Sequence, residues 1–339
     1  MINPLGLRLA SLTAVVAAAV AWTHAGADLR AGFVLVANQQ SASASLINLR
    51  DDSARIIPVG NGPHEAVIAP SGRTGVVTIY GLGGAPGNEL AVIDIVRGSV
   101  IKTISLGQYT RPHGANFLPG DETRVAVTSE TTQNVVIVNL TEGKVEHAIP
   151  TGAATSHMVA IAADGKRAFT SNIGGGSVSE LDLATRAPVR TIAVAPQVEG
   201  IAVTPDGSAV WAGSNTNGTV SIIDTKTGAI AVTLPGFSLP YRLAMSRDGR
   251  TAIVCDPQGD KLHVADVQQR KIVWTLDGLG SPRGVNIAPD GKTAFVTLAA
   301  DETMGVIDLE TRKLTRKIKV QQSPDGVWYG PNPSQIDHW

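Results

Sequence analysis

Apolar residues in this chain come in short runs, such as "VVTI" (76–79), "VAVT" (125–128), "AIVC" (252–255) and "AFVT" (294–297), separated by polar turns rich in Gly and Asp. Within a run the apolar positions are successive rather than alternate, as expected of strands that bury both faces of a sheet. Helical amphipathic periods of useful length are absent beyond the first residues. The pattern predicts an all-β chain of many short strands.

The runs recur in a larger unit. In "PRGVNIAPDGKTAFVTLAADETMGVIDLETRKLTRKIKVQQS", residues 282–323, an apolar strand, a "PDG" turn, a second strand, a polar loop, a third strand ending in Asp, a turn and a fourth strand follow one another. Four strands in roughly 42 residues is the size of one propeller blade. Further copies begin at Pro63, Pro112, Ser156, Val198 and Pro240, which makes six whole units. A seventh starts at "PDGVWYGPNP" (324–333) with only its first strand, and "GFVLVANQQSASASLINLRDDSARIIPVG" (32–60) supplies the missing three. The chain therefore predicts a seven-bladed β-propeller with four antiparallel strands per blade, closed by residues 30–62 together with 324–333. Such a ring leaves no open seam, and cutting before Pro324 is expected to open it.

Aligning the units places one residue from each blade at the same level: His64, His113, His157, Glu199, Tyr241, Arg283 and Asp325. First strands are innermost in a propeller, so these side chains are expected to ring one mouth of the central channel. The next position is Gly in four copies (114, 200, 284 and 326), which would leave room there, but Glu65, Met158 and Arg242 stand in the others. His64, His113 and His157 with Glu199 form a set that could hold Zn, Cu, Ni or Fe, because imidazole suits all four ions. The same residues permit proton transfer, with His113 or His157 as base, Glu199 as a further acid or base, and a cation to hold an anionic group. Glu65, Tyr241, Arg242, Arg283 and Asp325 are the candidate ligand-binding residues of the mouth.

Repeats such as "VTPDGSAVWAGSNTNGTVSIIDTKTGAIAVTL" and "IAPDGKTAFVTLAADETMGVIDLETRKLTRKIKV" resemble the YVTN family of β-propeller repeats and, more loosely, the seven-bladed lactonase-like and YncE-like superfamily. The resemblance runs over essentially all of residues 30–333. It implies the propeller fold; for function it implies a range, from lactonases and a streptogramin lyase to amine dehydrogenase subunits and surface-layer proteins. Relatives of the first two kinds carry catalytic His, Glu and Arg around the channel, and the residue types at the mouth here agree with that.

Composition narrows the picture further. Of 339 residues, 28 are basic and 29 acidic, for a formal charge of -1, so no global field recommends nucleic acid as a partner. Arg8, the apolar "LASLTAVVAAAVAW" (9–22) and "AGA" (25–27) read as a cleavable signal peptide over residues 1–27, leaving 28–339 as one propeller domain. The expected location is periplasmic or secreted, without a membrane span in the mature chain. The lone Cys255 cannot form an intrachain disulfide and reads as a small buried hydrophobe. His147 and His263 fall in outer strands, where solvation or a local hydrogen bond is expected. "GLGGAPGNE" (81–89) is a flexible loop able to fold over His64, while "NIGGGS" (172–177) and "SNTNGT" (214–219) read as plain turns. No G-x-S-x-G, H-E-x-x-H, EF-hand, P-loop or C-x-x-C-H motif occurs.

Two functional classes follow. The first is an exported propeller that binds a small ligand, a divalent transition metal ion or another exported protein at the His-rich mouth. The second is a lactonase- or lyase-type enzyme in which Arg242 and Arg283 bind an anionic substrate beside the His and Glu residues.

Overall fold

The computed structural model describes residues 29–333; the expected signal peptide over residues 1–27, His24 and the tail bearing His338 lie outside the described residues. Seven antiparallel sheets of four strands each make up the chain, as the repeat predicts. Six run in chain order from an inner to an outer strand, for example Pro63–Ile68, Thr74–Ile79, Glu89–Asp94 and Ser99–Ser105. The closing sheet takes its inner strand, Pro324–Gly330, from the chain's end and pairs it with Phe33–Asn38, followed by Ser43–Asn48 and Ser53–Pro58. Leu35 sits opposite Trp328 and Val36 opposite Val327. We call this sheet blade 1 and number the others 2 to 7 along the chain.

Burial explains why the strands are apolar on successive residues. The hydrophobic residues fall into seven clusters, one at each junction between neighbouring blades. Val34, Val36 and Ile47 pack against Phe295 and Val306 of blade 7, while Leu35 and Ala37 of the same strands pack against Val77 and Ile79 of blade 2. One strand therefore feeds two cores, and both of its faces must be apolar. Trp211 and Phe169 are among the largest side chains fully enclosed in these layers. Outer strands alternate instead, as in Ser99–Ser105, because one of their faces meets solvent.

Two backbone features fix the mouth. Two residues before the aligned position the chain enters the left-handed region at Gly62, Arg111, Thr155, Gln197, Ser281 and Ser323, with φ between 52° and 66°. This turn feeds the outer strand of one blade into the inner strand of the next. Blade 6 departs from the rule: Leu239 has no such φ, and the inner strand is the short Arg242–Met245. The glycines that follow the aligned position do not leave room for a ligand, contrary to the sequence expectation. A Cβ on Gly114 would lie 2.7 Å from Met158 Cα, and one on Gly326 would lie 2.6 Å from Glu65 Cα. They are glycines because the next blade's backbone occupies that space. No helix among the described residues is long and apolar enough to cross a membrane.

Candidate metal centre at the channel mouth

Hydroxyl groups set the inner strands against one another. Thr128, near the end of its strand, accepts from Gly114 N–H at 2.9 Å and donates to the carbonyl of His157 in the next blade at 2.6 Å. Ser171 does the same between Met158 N–H and the Glu199 carbonyl, and Thr297 between Gly284 N–H and the Asp325 carbonyl. His157, Glu199 and Asp325 are thereby each pinned by the preceding blade. Cys255 holds this position in blade 6; it is fully buried, as its sequence context predicts, and burial pushes its thiol pKa up.

Three imidazoles from consecutive blades come together on this frame. The His113 ring lies against His64, with centroids 3.9 Å apart and planes tilted by 47°, and against His157 at 3.6 Å and 35°. His113 is 1 % exposed, and neither of its ring nitrogens has a hydrogen-bond partner among the described residues. Burial foremost, then the neighbouring imidazoles and Arg242, holds its pKa well below the ordinary histidine value, so the ring is neutral and offers a lone pair.

Carboxylates surround the three rings. Glu130 Oε1 lies 2.5 Å from His157 Nδ1, and its Oε2 accepts from the Tyr80 hydroxyl at 2.7 Å. His157 Nε2 lies 3.4 Å from Glu199 Oε1, an ion-pair distance without hydrogen-bond alignment. Burial opposes the charged form of His157, but the bond to Glu130 and the nearby Glu199 outweigh it and raise its pKa. On the other flank His64 Nδ1 is 3.6 Å from Asp325 Oδ2 and 3.9 Å from Glu65 Oε1.

Arg242 ties the carboxylates together. Its Nη2 and Nε donate to Glu65 Oε1 at 2.8 and 3.0 Å, and its Nη1 donates to Glu199 Oε1 at 3.1 Å. The guanidinium is 4 % exposed and lies over the Tyr241 ring, 4.2 Å from the centroid. Burial disfavours ionised Glu65 and Glu199, yet their cationic neighbours prevail, leaving both pKa values lowered and Glu199 at about 2. Tyr241 donates to Asp325 Oδ2 at 3.2 Å. Arg283 turns aside to Ser323 Oγ at 3.0 Å.

Two groups of ligand atoms are close enough to share an ion: His64, Glu65 and His113, and His113, Glu130 and His157, in each of which the atoms lie within 4.8 Å of one another. The aligned His64, His113, His157, Glu199 and Asp325 thus meet at the mouth, with Glu65 and Arg242 from the adjoining position. Tyr80, Glu130 and Asn215 are additions to the sequence-derived set. Each is the first residue after its blade's second strand, and counting that position along the repeat would have found them. Asn215 Nδ2 donates to Glu199 Oε2, so the "SNTNGT" turn is more than a connector. Tyr80 opens the 81–89 loop, and its ring lies 5.2 Å from His64 and 5.5 Å from His113. Arg111 stacks over it and donates to Gly83 O at 3.3 Å. His263 is buried rather than solvated, against Phe237, with Nδ1 3.3 Å from the Thr275 hydroxyl. His147, in an outer strand, meets Arg186.

Comparisons with known proteins agree with this architecture. Residues 248–333 match the model of the family described as YNCE-like beta-propeller. A chain of Kuenenia stuttgartiensis Hydrazine Synthase is similar with a TM-score of 0.72 and 21% identity, covering 85% of this chain and 98% of that one. At that identity the likeness is one of fold. No curated protein matches the chain. The chain is a seven-bladed β-propeller with a YNCE-like match over its last two blades' worth of sequence.

Proposed function

We propose that this protein binds a divalent transition metal ion at the His- and Glu-lined channel mouth, and that it does so outside the cytosol after export. One observation carries the reading: His113 is almost fully buried with both ring nitrogens unpartnered, between two imidazoles and within ligand distance of a carboxylate on either flank. Buried polar groups are normally satisfied, and an orphaned pair of nitrogens calls for a missing partner. Charge points the same way. Glu65, Glu130, Glu199 and Asp325 surround a single buried guanidinium, so even with His157 protonated two negative charges remain, the charge of one divalent ion. Nitrogen and oxygen donors together favour Zn, Cu, Ni or Fe over Mg or Ca.

The remaining residues take supporting parts. Tyr80 holds Glu130, and Arg242 fixes Glu65 and Glu199, an outer layer of the kind that sets ligand orientation. Binding is favoured over anionic-substrate chemistry because Arg242 spends its donors on Glu65 and Glu199 and Arg283 engages Ser323. The test is calorimetric titration of the metal-free protein with Zn(II). His113→Ala is expected to weaken binding by more than ~100-fold, beyond what losing an outer partner costs, while His263→Ala leaves it unchanged. Equal affinity in wild type and His113→Ala, both folded by circular dichroism, would sink the reading.

A further inference from the structure

The arrangement of the three imidazoles bears on how many ions the mouth holds. His64 and His157 flank the His113 ring, with centroids 3.9 and 3.6 Å from it and planes tilted by 47° and 35°. The carboxylates divide between the two flanking rings. Glu65 follows His64 in its strand and completes a group with His64 and His113; Glu130, bonded to His157, completes a group with His157 and His113. His113 is common to both, and it is the ring with two unpartnered nitrogens.

We infer that the mouth is a dinuclear centre in which His113 bridges two divalent ions, one held with His64 and Glu65 and the other with His157 and Glu130. This rests on the metal-binding reading above and specifies its stoichiometry. A neutral imidazole has one lone pair and one N–H, so it can serve two ions only by releasing that N–H proton to solvent as the second metal–nitrogen bond forms. A second proton leaves when an ion replaces the hydrogen between His157 Nδ1 and Glu130 Oε1, 2.5 Å apart. No electrons move in either step. Glu65 suits its part because both of its bonds to Arg242 fall on Oε1. Tyr80, whose hydroxyl engages the Oε2 of Glu130, leaves Oε1 of that carboxylate facing His157.

The test is titration of the metal-free full chain with Cu(II), followed by electron paramagnetic resonance. Two equivalents are expected to bind. The signal of isolated Cu(II) grows over the first equivalent and falls over the second, because an imidazolate bridge couples the two spins. Glu65→Gln and Glu130→Gln, which preserve side-chain size, each reduce the stoichiometry to one equivalent and restore the uncoupled spectrum, with circular dichroism unchanged. One equivalent in the wild type, or two with uncoupled spectra, overturns the bridge while the metal-binding reading stands. Absence of tight binding overturns both.

Discussion

The layers between blades and the mouth of the channel are equally hidden from water, yet they are built from opposite materials. Each layer is a closed set of apolar side chains, such as Trp211, Val220, Ile222, Val254 and Ala265 between blades 5 and 6. The mouth buries three imidazoles, a guanidinium and four carboxylates within a few ångströms. Apolar burial stabilises in proportion to area and without regard to pH. A buried set of charges stabilises little by itself, and removing one member leaves the others exposed to the full desolvation penalty. The layers hold the ring together; the mouth is held by the ring.

That contrast can be broken at three points. Trp211→Ala, in a layer, is expected to cost about 4 kcal/mol by leaving a cavity, measured by denaturant unfolding, with the same loss at pH 7 and pH 4. Arg242→Leu, at the mouth, is expected to cost about 3 kcal/mol at pH 7 because Glu65 and Glu199 lose their cation. Here the loss should shrink at pH 4, since carboxylates no longer held down by Arg242 take up protons; a pH-independent loss would place Arg242 with the packing residues. The third and smallest effect lies between the two regions. Asp256 is buried and accepts from the N–H groups of Ser238, Leu239 and Gly259. Burial opposes its charge, but His263 and these donors win and hold its pKa at about 2. A carboxylate depressed in the folded state stabilises above its unfolded pKa near 4 and loses that contribution as pH falls toward 2. Asp256→Asn should therefore lower stability by about 2 kcal/mol at pH 7, and the gap between the melting curves of variant and wild type should narrow steadily as pH falls below about 4 toward the folded pKa of about 2.

The seven-fold ring and its closure were legible because they depend on spacing alone: 42-residue steps from Glu199 through Tyr241 and Arg283 to Asp325 fix which backbone positions share a level. The meeting of His64, His113 and His157 followed from the same count. Arg242 was legible as a mouth residue but not for its part, since its donors go to Glu65 and Glu199 rather than standing open for a ligand. Tyr80, Glu130 and Asn215 escaped because loops after the second strand differ in length and composition, and nothing local in "YGLGG" or "ETTQN" marks the first residue as pointing inward. The glycines were legible as exceptions but not for their reason, since close approach of the neighbouring backbone is a property of the pair of blades.

The pairing of Phe33–Asn38 with Pro324–Gly330 also orders events in time. As the polypeptide is made, Phe33–Asn38 emerges with one hydrogen-bonding edge bare, and its partner arrives only after the strands of the other six sheets. Until then each nascent molecule offers that edge to its neighbours, so a chaperone that shields short apolar strands would matter most for Phe33–Asn38.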